Sequence, residues 1–194
     1  MFFMKRLFLI TWLLIGQLSL TFSQSPTDSE AFRYYKFLAK QQIDVSLKII
    51  KLGNYLSAYS DMAGTCDSFK LSRKQYDTLT KLFDETVTIL HNAISGISDL
   101  QEIDSSIGLK EPILFLFRGY ARMLGEYYPV FISLLQNKGK VYTPDQAITI
   151  KNTYKRFNIL MKDLDGQTYV IEAASSEFMT KYHITEYDVL TDGS

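Results

Sequence analysis

The 194-residue chain contains one cysteine, two histidines, one tryptophan and four prolines, and its 21 basic side chains are matched by 21 acidic ones. Each shortage excludes something. With Cys66 alone, no intrachain disulfide can form and no thiolate cage can hold zinc. Without net charge, the chain lacks the dense basic face that phosphate neutralisation requires, so nucleic acid is not an expected partner. Neither histidine has a glutamate three residues before it: Thr88 precedes His91 and Thr180 precedes His183. The Glu-x-x-His pair that points two metal ligands from one helix face into a bundle is therefore missing, and so is His-Glu-x-x-His. The sequence also has no Gly-x-Ser-x-Gly elbow, no Walker loop and no Gly-x-Gly-x-x-Gly. Acid pairs such as Asp163 with Asp165, or Glu172 with Glu177, are ordinary on a helix surface and do not by themselves make a glycosidase. These absences point to a non-enzymatic protein with no catalytic, cofactor-binding or metal-ligating residue to assign. A metal- or cofactor-binding bundle enzyme is the competing expectation.

What is present begins with an address. Lys5 and Arg6 precede an apolar run from Leu7 to Phe22, the pattern of a secretory signal. At about 1.5 Å per residue the run reaches about 24 Å, short of a hydrocarbon core of about 30 Å. Thr21 and Ser23 stand where a signal peptidase reads small residues, so residues 1–23 are expected to be removed after Ser23. Retention as a signal anchor is the alternative, and only then is a membrane a partner. Loss of Lys5 and Arg6 shifts the balance from 21 against 21 to 19 basic against 21 acidic. No cysteine stands near the cut to accept a lipid, and Cys66 reads as a small apolar residue in a loop or helix start. The expected location is exported: periplasmic, cell-surface or extracellular. The remaining chain of about 171 residues is long enough to bury about 70% of its unfolded surface in one domain.

Residues 24–184 read as four helices, because apolar side chains recur at alternating spacings of three and four. The first opens on a Thr27/Glu30 capping box and carries Tyr35, Leu38, Gln42, Val45, Ile49, Leu52, Leu56 and Tyr59 on its seam to about Asp61. Met62 to Leu71, which includes Gly64, is expected to be a loop. The second starts at a Ser72/Gln75 capping box, with Tyr76, Leu79, Phe83, Thr86, Leu90, Ala93, Ile97 and Leu100 facing inward. Gly108 and Pro112 mark the entry to the third, whose seam is Ile113, Phe117, Tyr120, Leu124, Tyr127, Phe131 and Leu134. Pro129 is expected to kink it near Gly125, since proline removes a backbone bond and crowds the carbonyl four residues back. The third helix should end near Gly139.

Thr143, Pro144 and Gln146 give the fourth helix the clearest start. Its seam keeps one phase through Ala147, Ile150, Tyr154, Phe157, Met161, Leu164, Thr168, Ile171, Ser175, Phe178 and Tyr182. Gly166 interrupts propensity without breaking register, so one continuous helix is expected. Residues 185–194 form a polar tail. Four amphipathic helices with short connections predict an all-α, antiparallel four-helix bundle in a single domain. Pro129 and Gly166 are the positions where a long helix could hinge.

Tyr34, Tyr35, Tyr120, Tyr127, Tyr128, Tyr154 and Tyr169 combine ring area with a polar tip, the chemistry of a groove for an apolar ligand or a partner protein. Filling the bundle seam is their simpler use. Lys151, Lys155, Arg156 and Lys162 form a modest basic face on the fourth helix, read as solvated.

Two stretches carry a family likeness. Gly108-Leu-Lys-Glu-Pro112, leading into Tyr120 and Glu126-Tyr-Tyr128, and the ending Ala174-Ser-Ser-Glu-Phe178-Met-Thr-Lys-Tyr182, resemble the small exported bacterial surface proteins of the LIC type. The resemblance implies export and a helical fold. It assigns no activity and carries no catalytic residue.

Overall fold

The computed structural model describes residues 29–65, 71–136 and 143–185, and every regular element among them is helical. Helix α1 is Ser29–Thr65, α2 is Arg73–Ser98, α3 is Lys110–Arg122, α4 is Tyr128–Gln136 and α5 is Pro144–Lys181. A π-helical turn, Met123–Tyr127, joins α3 and α4 into one rod. The fold is thus an all-α bundle of four rods, with no strand among the described residues. The leader, Thr27, Cys66, the expected helix end near Gly139 and the tail beyond Thr185 lie outside the described residues.

Both complete capping boxes form as the residue types dictate. Ser72 Oγ accepts from the Gln75 N–H while the Gln75 side chain accepts from the Ser72 N–H, and Thr143 and Gln146 repeat the exchange. The first rod departs from expectation. It continues to Thr65, four residues into the stretch Met62 to Leu71 expected as a loop, because Gly64 weakens helix propensity by only about 1 kcal/mol relative to alanine. That is too little to stop a helix already nucleated.

The helix at Pro129 departs in form rather than in place. The Tyr128 N–H reaches back five residues to the Met123 carbonyl, so the chain widens into a π turn over Gly125. A wider turn relieves the crowding that the proline ring imposes on the carbonyl four residues before it.

Side-chain contacts set the packing. Phe37 lies over Gly96 and Lys48 meets Glu85, so residue numbers climb along α1 as they fall along α2. The other pair is alike: Gln167 donates to the Pro112 carbonyl, Leu164 packs on Gly119, and Phe157 meets Tyr127 and Phe131. Between the rods lies one core. Phe117 and Phe178 have no exposed surface, and Leu38, Val45, Leu79, Leu90, Ile97, Ile113 and Leu124 fill the space around them. Thr86 sits in the seam at no cost, because its hydroxyl donates to the Leu82 carbonyl one turn back.

Helix α5 is continuous through Gly166, as its register predicts. Its seam is not buried throughout. Leu160, Met161, Leu164, Ile171, Ser175 and Phe178 are buried, whereas Ala147 and Tyr154 are exposed and Ile150 and Phe157 only half-buried. Tyr76, placed on the α2 seam, is likewise exposed.

Candidate functional site

The most developed polar arrangement lies in the connection between α2 and α3, where two carboxylates hold three rods together. Asp104 opens a tight turn: its carbonyl accepts from the N–H groups of Ile107 and Gly108, and its Oδ1 accepts from the Ser106 N–H at 3.0 Å and the Ser106 hydroxyl at 2.6 Å. Gly108 takes φ +62°, a left-handed conformation that glycine alone adopts without strain. The other oxygen, Oδ2, accepts from Lys181 Nζ and, at 3.1 Å, from the Tyr182 hydroxyl, both at the end of α5. Asp104 is the one charged residue counted among the buried described residues. The Lys181 ammonium and the Ser106 donors hold its carboxyl far below the usual carboxylate range, and Asp104 in turn raises Lys181.

Glu102 performs the companion task. Its Oε1 accepts from the Tyr34 hydroxyl of α1, and its Oε2 accepts at 3.0 Å from the Lys110 N–H, the first of α3, where helix-end N–H groups lack partners. Burial and the adjoining Glu102 push the Tyr34 hydroxyl well above an ordinary tyrosine. Lys110 Nζ donates to the Ser98 and Leu100 carbonyls, closing the end of α2. Above these groups Phe178 is packed by Tyr34, Tyr35 and Tyr182, with ring centroids 5.6, 5.9 and 4.6 Å away.

The α5 terminus completes the clasp. The His183 N–H donates to the Thr180 carbonyl and the Ile184 N–H to the Met179 carbonyl, a Schellman stop with His183 at φ 53° and Ile184 buried. Both oxygens of Asp104 and both of Glu102 are therefore committed to protein donors. The arrangement is a structural clasp: its acids are spent on the fold.

The seven tyrosines singled out from sequence do not line one groove. Tyr34 and Tyr35 belong to the clasp; Tyr127 lies buried against Phe157; Tyr128 is buried and stacked on Phe83 at 4.5 Å; Tyr154 and Tyr169 are exposed. Tyr120 is half-buried, and its hydroxyl is pushed up to about 12 by burial and by Asp165. The Tyr128 hydroxyl is buried without a hydrogen-bond partner among the described residues, and that burial raises it. Both histidines are exposed, and no group of three metal-ligating side chains occurs among the described residues.

A shallow groove of about 630 Å³ runs between α1 and α2, lined by Lys48, Tyr76, Lys81, Glu85 and Ile89. It is wide open, and the Lys48 to Glu85 ion pair at 2.8 Å crosses it. Among the described residues no helix is long and apolar enough to cross a membrane.

Sequence reasoning missed the clasp. One signal was available: an aspartate two residues before a serine and four before a glycine is the composition of a side-chain-closed turn. Its partners Tyr34 and Lys181 are about 70 residues away or more in the chain, and no local pattern links them. No family model matches the chain, and no curated protein or solved structure is significantly similar to it.

Proposed function

We propose that this is an exported, non-enzymatic helical-bundle protein of the bacterial envelope that works as an interaction module, presenting side chains to a partner. The observation that carries the reading is how the acids are used: Glu102 and Asp104, the best-positioned carboxylates, have all four oxygens bound by donors of the scaffold. A scaffold so fastened keeps its outer faces in fixed relation. Apolar residues meanwhile stand on those faces, including Ile43 and Leu47 on α1 and Ile148, Ile159, Tyr169 and Val170 on α5. The basic and apolar leader and the resemblance to exported surface proteins support the location.

The test is mass spectrometry of the protein recovered from fractionated cells, with crosslinking in intact envelopes. The reading expects a chain beginning at Gln24 in the exported fraction and a reproducible crosslinked species. A chain beginning at Met1 and confined to the cytosol contradicts export. Stoichiometric metal or cofactor in chelator-free preparations contradicts the non-enzymatic reading.

A further inference from the structure

Helix α5 has a second face that the fold does not use. At about 100° per residue, the positions opposite its buried side between Ile148 and Ala173 are Ile148, Lys151, Lys155, Ile159, Lys162, Gly166, Tyr169 and Ala173, with Val170 at the margin. Within about 60° of the line through Lys155 this stretch has no aspartate or glutamate; Asp163 and Asp165 fall outside, to either side. Arg156 lies about a quarter turn away and is not part of the stripe. The three lysines are exposed and form no ion pair with a described residue. The apolar members are exposed too: Ile148 by 57%, Ile159 by 52%, Tyr169 by 70% and Val170 by 49%.

We propose that this stripe is a docking surface for an anionic lipid membrane, on which α5 lies with its outer face in the headgroup layer. The sign of the charge fixes the sign of the partner: three unpaired cations without an anion among them favour a negative surface. The apolar residues favour a membrane over an acidic protein. Ile148, Ile159 and Val170 recur every eleven residues, or about 16 Å, along one edge of a convex rod. A folded partner would need three separate pockets at that pitch. A headgroup layer accepts isolated side chains wherever they fall, and tyrosine and lysine suit it because each has an apolar body and a polar end. This deepens the interaction-module reading and rests on the surface-presenting half of it, not on export, so vesicle binding and the location test fail separately.

The experiment is co-sedimentation of the full-length mature protein with vesicles of phosphatidylcholine alone and of phosphatidylcholine mixed with phosphatidylglycerol. Binding is expected only to the mixed vesicles, weakening as salt rises. The double variant Lys155→Glu/Lys162→Glu should bind at least about tenfold more weakly. Ile148→Ser/Ile159→Ser should lose affinity severalfold, and both should keep the wild-type circular dichroism because the positions are exposed. No binding to mixed vesicles, or binding indifferent to the lysine reversals, overturns the proposal. Equal binding to soluble polyglutamate, unaffected by the isoleucine changes, overturns it in favour of an acidic protein partner.

Discussion

The two halves of α5 share one helical register and have opposite fates. From Leu160 to Phe178 the inward positions are buried except for half-buried Thr168, and the helix ends in the clasp through Lys181, Tyr182 and the Schellman stop. From Pro144 to Ile159 no residue is buried, and the ring contacts include Phe157 on Phe131 at 5.1 Å. The inward side chains explain part of the difference. The second half carries branched aliphatics and Phe178 against α1 and α3, while the first half sets Tyr154 and Phe157 against rings at the far end of the α3 and α4 rod. Amphipathic phase shows which face a helix would bury; the number of neighbours decides whether it does.

The contrast can be broken from the strong side first. Phe178→Ala should cost about 3–5 kcal/mol, because it empties a fully buried ring site beneath the clasp, whereas Tyr154→Ala should cost under about 1 kcal/mol. Urea unfolding of the two variants measures the ratio. Gly119→Ala comes next: a methyl there overlaps Leu164 Cδ2, and because Leu164 is buried its shift must disturb packed neighbours, so the cost should be about 1–3 kcal/mol.

Acid should sharpen the same contrast. The carboxyl of Asp104 is held below its unfolded value, so its contribution is complete above the ordinary carboxylate range, fades as pH falls below that range and is gone once pH is under the lowered folded value. Asp104→Asn should therefore lower the melting temperature at neutral pH and flatten its fall on acidification. An unchanged acid profile would show that Asp104 does not tie α5 down. Tyr120 acts at the other extreme. Its folded value is raised to about 12, so the stability it brings is intact below an unfolded tyrosine value of about 10 and is lost as pH climbs toward 12. Tyrosinate absorbance should thus rise together with loss of helicity in that window.

Tyr128→Phe should act in the opposite direction. It removes a buried hydroxyl without a partner and should stabilise the protein by about 1 kcal/mol while keeping the stacking on Phe83.

Local chemistry was legible in the sequence. The boxes at Ser72/Gln75 and Thr143/Gln146, the register of α5 through Gly166 and the deformation before Pro129 each follow from a few adjacent residues. Three things were not legible. Gly64 reads as a stop only if its cost is weighed without the helix already formed before it. Tyr76, Ala147 and Tyr154 have the right phase and yet stay exposed. The clasp joins Tyr34, Glu102, Asp104 and Lys181 across three rods, and such pairings depend on how helices dock rather than on how each one forms.

Amide hydrogen exchange resolved along α5 tests the account most directly. Amides from Leu160 to Phe178 should exchange only through opening of the whole bundle, while those from Ile148 to Ile159 exchange by local fraying and far faster. Uniform protection over the entire helix, or slower exchange in its first half, would contradict a fold anchored at the clasp with a free-standing outer half.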